Sequence, residues 1–203
     1  MVFTSKIERA LDYKTIWERV EPIEGWLTKP EALALAQIAA RVAITTPQAA
    51  IVEVGSWLGR STIAIAAAVS QVSAATRIHA IDPHTGDLGW PFDRVAGPTW
   101  DKFRENLRSA GVEEHVIPYR SCAVDVKWES PIGMLFLDAE HDWTSVRRDF
   151  SHFSSWFIPG GYACVHDYDG PWSGVTTFVD ELAESKEWTL IDRAGSLAVL
   201  CRS

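Results

Sequence analysis

Ile51-Val52-Glu53-Val54-Gly55-Ser56-Trp57-Leu58-Gly59-Arg60-Ser61-Thr62 is an apolar run that ends on an acid, turns through two glycines and enters an alanine-rich segment. A strand feeding a tight loop at a helix N-terminus has this form. Such a loop presents backbone N–H groups and the positive end of a helix dipole to a ligand. Gly55 lets the backbone come close to that ligand, and Gly59 lets the helix begin near the strand. Glu53, at the strand's end, is placed to serve the ligand. A dinucleotide pyrophosphate needs the crowded Gly-x-Gly-x-x-Gly turn. Here Ser56, Trp57 and Leu58 separate the two glycines, so the loop suits a ligand without a pyrophosphate. Taken alone, the stretch also fits any βα unit with a glycine in its turn.

Upstream, Thr28-Lys29-Pro30-Glu31 has the Thr-x-x-Glu form of a capping box, and Leu35, Ile38, Ala39 and Val42 follow at helical spacing. Residues 1–29 read as a helical extension, lying over the mouth of the domain or packed on its surface. Residues 30–203 read as the core of a single domain. Downstream, Ile63, Ala64, Ala67 and Ala68 form a small-residue helix face able to lie close on a sheet. Further strands are predicted at 77–82, 115–120, 133–138 and 162–167. Helices between them are marked by Trp100, Phe103 and Leu107, by Trp143, Val146, Phe150, Phe153 and Phe157, and by Val175, Phe178, Val179 and Leu182. Pro159-Gly160-Gly161 reads as the turn between helix and strand, and 187–192 with 197–202 as a closing hairpin. The sum is an α/β fold: a doubly wound, Rossmann-like, seven-stranded, mainly parallel sheet with a C-terminal antiparallel strand pair. The loop at 83–99 is too long for a plain connector. Its Trp90 and Phe92 either meet a substrate or pin the loop to the body, and we expect the loop to close over a bound substrate.

Charge and composition narrow the function. A formal net charge of -8 argues against nucleic acid or an anionic membrane as the main partner. Cys122, Cys164 and Cys201 are odd in number and far apart, which suits a reducing, cytoplasmic setting better than a disulfide framework. The first residues lack the pattern of a secretion signal. The longest apolar run, Ile63 to Val69, is far short of the roughly 18 residues of a membrane span. Oligomeric state is not legible, and a homo-oligomer is left open.

Ligands of such sheets bind beyond the carboxyl ends of the strands. Glu53, Asp82, Ser121, Asp138 and His166-Asp167 all fall there. Asp82 follows Gly55 by 27 residues, near the spacing of an acid that holds a ribose. Asp138, His166 and Asp167 end neighbouring strands. Two carboxylates and an imidazole suit a divalent ion, the carboxylates favouring Mg²⁺ and the histidine admitting Mn²⁺ or Zn²⁺. His141, three residues after Asp138, is in reach of whatever that ion holds and can take a proton near neutrality. His141 also fits a helix-start histidine bonded to backbone, and His166-Asp167 a loop-capping pair.

With these motifs in order, the chain resembles a class I S-adenosylmethionine-dependent methyltransferase, and more narrowly the small O-methyltransferases related to sugar and macrolide enzymes of natural-product pathways. The likeness spans roughly residues 30–203 and rests on Glu53 to Thr62, Ile81-Asp82, Leu135 to His141, Ile158 to Gly161 and His166-Asp167. It implies that S-adenosylmethionine lies along Glu53, Gly55, Ser56, Trp57 and Ser61 with its methionine end, on Asp82 with its ribose, and on Ser121 and Cys122 with its adenine. It implies that Asp138 and Asp167 bind the ion, magnesium first and manganese as the alternative, and that His141 is the base. His166 stands where several relatives carry an acid, which leaves the ion's identity open. The reaction implied is methyl transfer to a hydroxyl of a small molecule, with a glycosyl or natural-product acceptor favoured because a sugar hydroxyl is a weak acid that needs both metal and base. The rivals are a metal-independent methyltransferase and a non-catalytic cofactor-binding scaffold.

Overall fold

The computed structural model describes residues 10–86 and 97–203. Its strands are β1 (Ala50–Val54), β2 (Ile78–Asp82), β3 (Val116–Arg120), β4 (Ile132–Leu137), β5 (Phe157–Val165), β6 (Trp188–Ala194) and β7 (Leu197–Arg202). They form one seven-stranded sheet in the order β3-β2-β1-β4-β5-β7-β6. The first five strands are mutually parallel, and β7 runs antiparallel to both β5 and β6. The helices are α1 (Tyr13–Val20), α2 (Lys29–Thr45), α3 (Arg60–Val72), α4 (Trp100–Ser109), α5 (Trp143–Ser154) and α6 (Ser173–Glu184). This is the doubly wound architecture that the alternation of patterns predicts.

A parallel sheet covered on both faces buries its central strands throughout, so they read as continuous apolar runs. All of β4 is buried. Side chains still alternate between faces. Ile51, Met134 and Phe136 join the core under α1 to α4, while Val52, Leu135 and Leu137 join the core under α5 and α6. The alanines of α3 are all buried, so that helix lies close against its neighbours. Gly59 caps α3 in the left-handed conformation at φ +89°, and a side chain there would meet the Phe103 ring at 3.1 Å.

One boundary differs from the sequence reading. Phe157 keeps the helical spacing of Phe153 but is the first residue of β5, and Pro159-Gly160-Gly161 lies inside that strand. The β4–β5 register jumps from Ile132 opposite Phe157 to Met134 opposite Tyr162, with Gly160 at φ +77° absorbing the extra residues. Phe157 fits the helical period because it packs into the same cluster, 5.9 Å from Phe150 and 4.8 Å from Trp188 by ring centroids. Among the described residues no helix is long and apolar enough to cross a membrane. Trp90 and Phe92, with most of the loop expected to close over the acceptor, fall outside the described residues.

Candidate active site

A cavity of about 420 Å³ opens at the carboxyl ends of β1, β2, β4 and β5, a volume suited to a small-molecule ligand. Every site residue read from the sequence lines it except Glu53. The cavity has two halves, which meet at Gly55. With φ at +92°, Gly55 lies so close to the start of the next loop that a Cβ would stand 2.0 Å from the Asp138 carbonyl oxygen. Glycine is therefore required by the approach of two strand ends, besides any approach of a ligand.

The first half is the glycine loop. Asp82 Oδ2 accepts hydrogen bonds from the backbone N–H groups of Ser56 at 3.0 Å and Trp57 at 2.8 Å, and Oδ1 accepts from the His84 N–H at 2.6 Å. A carboxylate offers about four lone-pair positions, so Asp82 can hold the loop and still accept from a ligand. Glu53 departs from its expected role at the ligand: it is fully buried, and its oxygens accept from the hydroxyls of Ser61 and Thr62. Burial pushes its pKa up to about 7, against the two hydroxyl hydrogen bonds, with Asp138 and Asp82 adding to the rise. Glu53 thus organises the start of α3 from beneath, because the side chain at its position points into the sheet's core layer and not along the strand. Ser56 Oγ and Trp57 Nε1 are buried without a partner among the described residues. Buried polar atoms are normally bonded, so orphans beside a cavity mark places for a ligand's groups. Trp57 sits at φ +42°, a backbone strain of about 1–3 kcal/mol, with its ring 4.7 Å from that of Trp26. Ser121 and Cys122 lie at the far edge, the Ser121 hydroxyl donating to the Cys122 carbonyl at 3.1 Å.

The second half follows β4 and β5. Asp138, His141 and Asp167 bring one donor atom each within 4.8 Å of one another, a set that suits a divalent ion. The sequence reading put His166, not His141, in that set. His166 Nδ1 lies 3.2 Å from Asp138 Oδ1 and 3.3 Å from Asp167 Oδ2, and its Nε2 lies 3.6 Å from Glu31 Oε2. Burial opposes charge on this ring, but Asp138, Asp167 and Glu31 outweigh it, and its pKa is pushed up to about 12. His166 thus faces both acids as their counter-charge here, while the three donor atoms that converge most closely belong to Asp138, His141 and Asp167. Burial favours the neutral form of Asp167 as well, yet His141 and His166 hold its carboxyl well below the usual range. His141 Nε2 is 3.0 Å from Asp167 Oδ2, its ring is tilted on Trp172 at 5.0 Å, and Nδ1 is buried without a partner among the described residues.

Several side chains at or behind the cavity escaped the sequence reading. Arg60 donates from Nε to the Leu27 carbonyl at 2.8 Å, and from one terminal nitrogen to the carbonyls of Val20, Glu21 and Ile23. It ties the segment after α1 across the mouth, so that Gly25, Trp26 and Leu27 line the cavity. Trp172 walls the half beside His141. Glu31 shows in the sequence only as a capping-box residue, with nothing to signal its contact with His166.

A family model described as a methyltransferase domain matches residues 52–168. Among solved structures, the O-methyltransferase NovP superposes with a TM-score of 0.71 at 17% identity, covering 88% of this chain and 83% of its own. The O-methyltransferase from Bacillus cereus in complex with SAH gives 0.65 at 17% identity, covering 94% of this chain and 91% of that one. CalS11, a calicheamicin methyltransferase, gives 0.65 at 14% identity, with 98% and 93% covered. At these identities the likeness is one of fold.

Proposed function

The chain belongs to the methyltransferase domain family, and from that premise we propose that it transfers the methyl group of S-adenosylmethionine to a hydroxyl of a small molecule, with Asp138 and Asp167 holding a divalent ion. The observation that carries this reading is the single cavity with two chemically different halves. One half offers a backbone cradle with orphaned polar atoms, and the other a carboxylate–imidazole cluster.

Ser56, Trp57 and Ser61 would meet the methionine end of the cofactor, Asp82 would accept from the ribose hydroxyls, and Ser121 with Cys122 would border the adenine. Asp138 and Asp167 would hold the divalent ion, Mg²⁺ or Mn²⁺, whose positive charge would make a neighbouring hydroxyl more acidic. Asp167 orients the His141 ring through Nε2 and leaves Nδ1 to take the acceptor's proton. The acceptor oxygen attacks the methyl carbon in line with the C–S bond, whose electron pair stays on sulfur. Most of the protein's contribution is positioning, backed by charge stabilisation. The weak acidity of a sugar hydroxyl fits this pairing of ion and base, so we favour a glycosyl or polyol acceptor. Three free cysteines suit a reducing, cytoplasmic setting.

The metal-independent reading has an observation of its own: the His141–Asp167 pair is complete at 3.0 Å, and His166 already balances both acids. Methyl transfer to a panel of hydroxylated acceptors, before and after exhaustive chelation and with Mg²⁺ or Mn²⁺ restored, decides. We expect loss on chelation and recovery with the ion. Full activity without metal establishes the second reading, and SAH binding with no transfer to any acceptor leaves a scaffold.

A further inference from the structure

We infer that Glu31 is a positioning residue of the methyl-transfer site, acting through His166 to set the placement of Asp138 and Asp167. The inference rests on the reading that these two acids serve the reaction. Glu31 lies in the first turn of α2, remote in sequence from β5, and is 2% exposed. Its Oε2 accepts from the Thr28 N–H at 2.7 Å and the Thr28 hydroxyl at 2.6 Å, and its Oε1 accepts from the Ser196 N–H at 2.8 Å and hydroxyl at 2.9 Å. A capping box needs only the first of these and works with its carboxylate in water. Burying the carboxylate costs free energy that a cap does not recover.

The surroundings are shaped to this side chain. A Cβ on Gly195, at φ +59°, would stand 2.5 Å from Glu31 Oε1, so the β6–β7 turn closes directly on the carboxylate. On the other side Oε2 faces His166 Nε2 at 3.6 Å, and the same ring faces Asp138 and Asp167 at 3.2 and 3.3 Å. Glu31 thus joins α2, the hairpin turn and the end of β5, and its contact on Nε2 adds to the two on Nδ1 in fixing the His166 ring. The geometry of the two acids depends on that ring, because its Nδ1 is what stands between them.

The test uses the full-length protein. Glu31→Gln keeps the shape and most of the hydrogen bonds but removes the charge facing His166. It should lower kcat by about 10–100-fold while SAH affinity and the acceptor KM stay within about twofold. Combined with His166→Asn it should fall no further than His166→Asn alone. Asp12→Ala, which loosens the cap of α1 and touches neither Glu31 nor His166, should lower the melting midpoint and leave kcat unchanged. The His166 ring signals in a histidine-selective nitrogen NMR spectrum should move in Glu31→Gln and stay in place in Asp12→Ala. Parental kcat in Glu31→Gln, fully additive losses in the double variant, or an unmoved His166 signal would each overturn the inference. If Glu31→Gln does not fold, Glu31→Asp keeps the charge and shortens the reach by one methylene. Reduced kcat with SAH affinity retained then supports the role, and parental kcat ends it. Asp138→Asn separates the two claims: undiminished turnover there removes the reading beneath, whereas turnover lost there but kept in Glu31→Gln removes only this inference.

Discussion

The acids at the β1–β2 end of the cavity are held mainly by hydrogen bonds from backbone and hydroxyl groups, three N–H groups on Asp82 and two hydroxyls on Glu53, with the His84 ring 3.7 Å from Asp82. Those at the β4–β5 end are held by imidazoles. Asp138 faces His166, and Asp167 faces both His166 and His141. Backbone amides cannot give up their protons and do not move independently of the fold. An imidazole can donate or accept through either ring nitrogen. The first arrangement suits a rigid cradle that must bind before and after reaction, and the second suits the place where a proton has to leave. Gly55 is the seam between them.

The largest effect should fall at the β4–β5 end. His141→Ala should lower kcat by about 10²–10⁴-fold, and Asp138→Asn by at least as much, with SAH affinity nearly unchanged in both. The two losses should not add, since both groups serve one deprotonation. Single-turnover kinetics with a true acceptor is the check, and a fall in SAH affinity of equal size would merge the two halves into one.

Next comes Glu53, the buried acid beneath the cradle. Its folded pKa of about 7 stands above the ordinary 4.5, so the native state holds a proton that the unfolded chain has released. Its contribution to stability is therefore full below about pH 4.5, falls as pH rises and is gone by about pH 7. Glu53→Gln should remove that slope. Relative to the parent it should gain stability as pH climbs through this window, on the order of 3 kcal/mol across it. Urea unfolding at a series of pH values reads the difference. Parallel curves would show that Glu53 is ionised in the fold and that the cradle is charged like the other end.

An effect of comparable size is expected from Asp82→Ala. It should weaken SAH binding by about 1.5–3 kcal/mol for each ribose hydrogen bond lost, with kcat at saturating cofactor little changed. Calorimetry on the folded variant checks it, and unchanged affinity would leave Asp82 as a loop clamp alone. Smallest of all, Trp26→Ala should cost about 0.5–1.5 kcal/mol of stability through loss of its pairing with Trp57, visible in the melting midpoint. No change there would mean that the segment after α1 is held without this pairing, by Arg60 and the buried Ile23 and Leu27.

Much of this molecule is legible along the chain. Ile51 to Val54, Ile78 to Asp82 and Ile132 to Leu137 are recognisable as strands because parallel central strands are apolar on both faces. The loop at Gly55 and the acids at strand ends mark the cavity's rim because topology puts all such ends on one side. The boundary at Phe157 misled because a residue in the adjoining strand packs into the cluster that the helix faces. Residue types alone do not report that Asp167 leaves β5 in the left-handed region at φ +64°, an uncommon conformation for a residue other than glycine.

What the sequence by itself determined is therefore periodic and local: the order of strands and helices, the capping box at Thr28 and the side of the sheet on which chemistry gathers. Which groups become partners was decided by the tertiary structure alone. It turned Glu53 inward to Ser61 and Thr62, brought His141 and not His166 into the group with Asp138 and Asp167, and set Glu31 behind His166. The reason is physical. A pattern along the chain records which face a residue points to, whereas a hydrogen bond or ion pair depends on separations of a few tenths of an ångström. Those are fixed only when strand registers, turn dihedrals and helix positions are all in place.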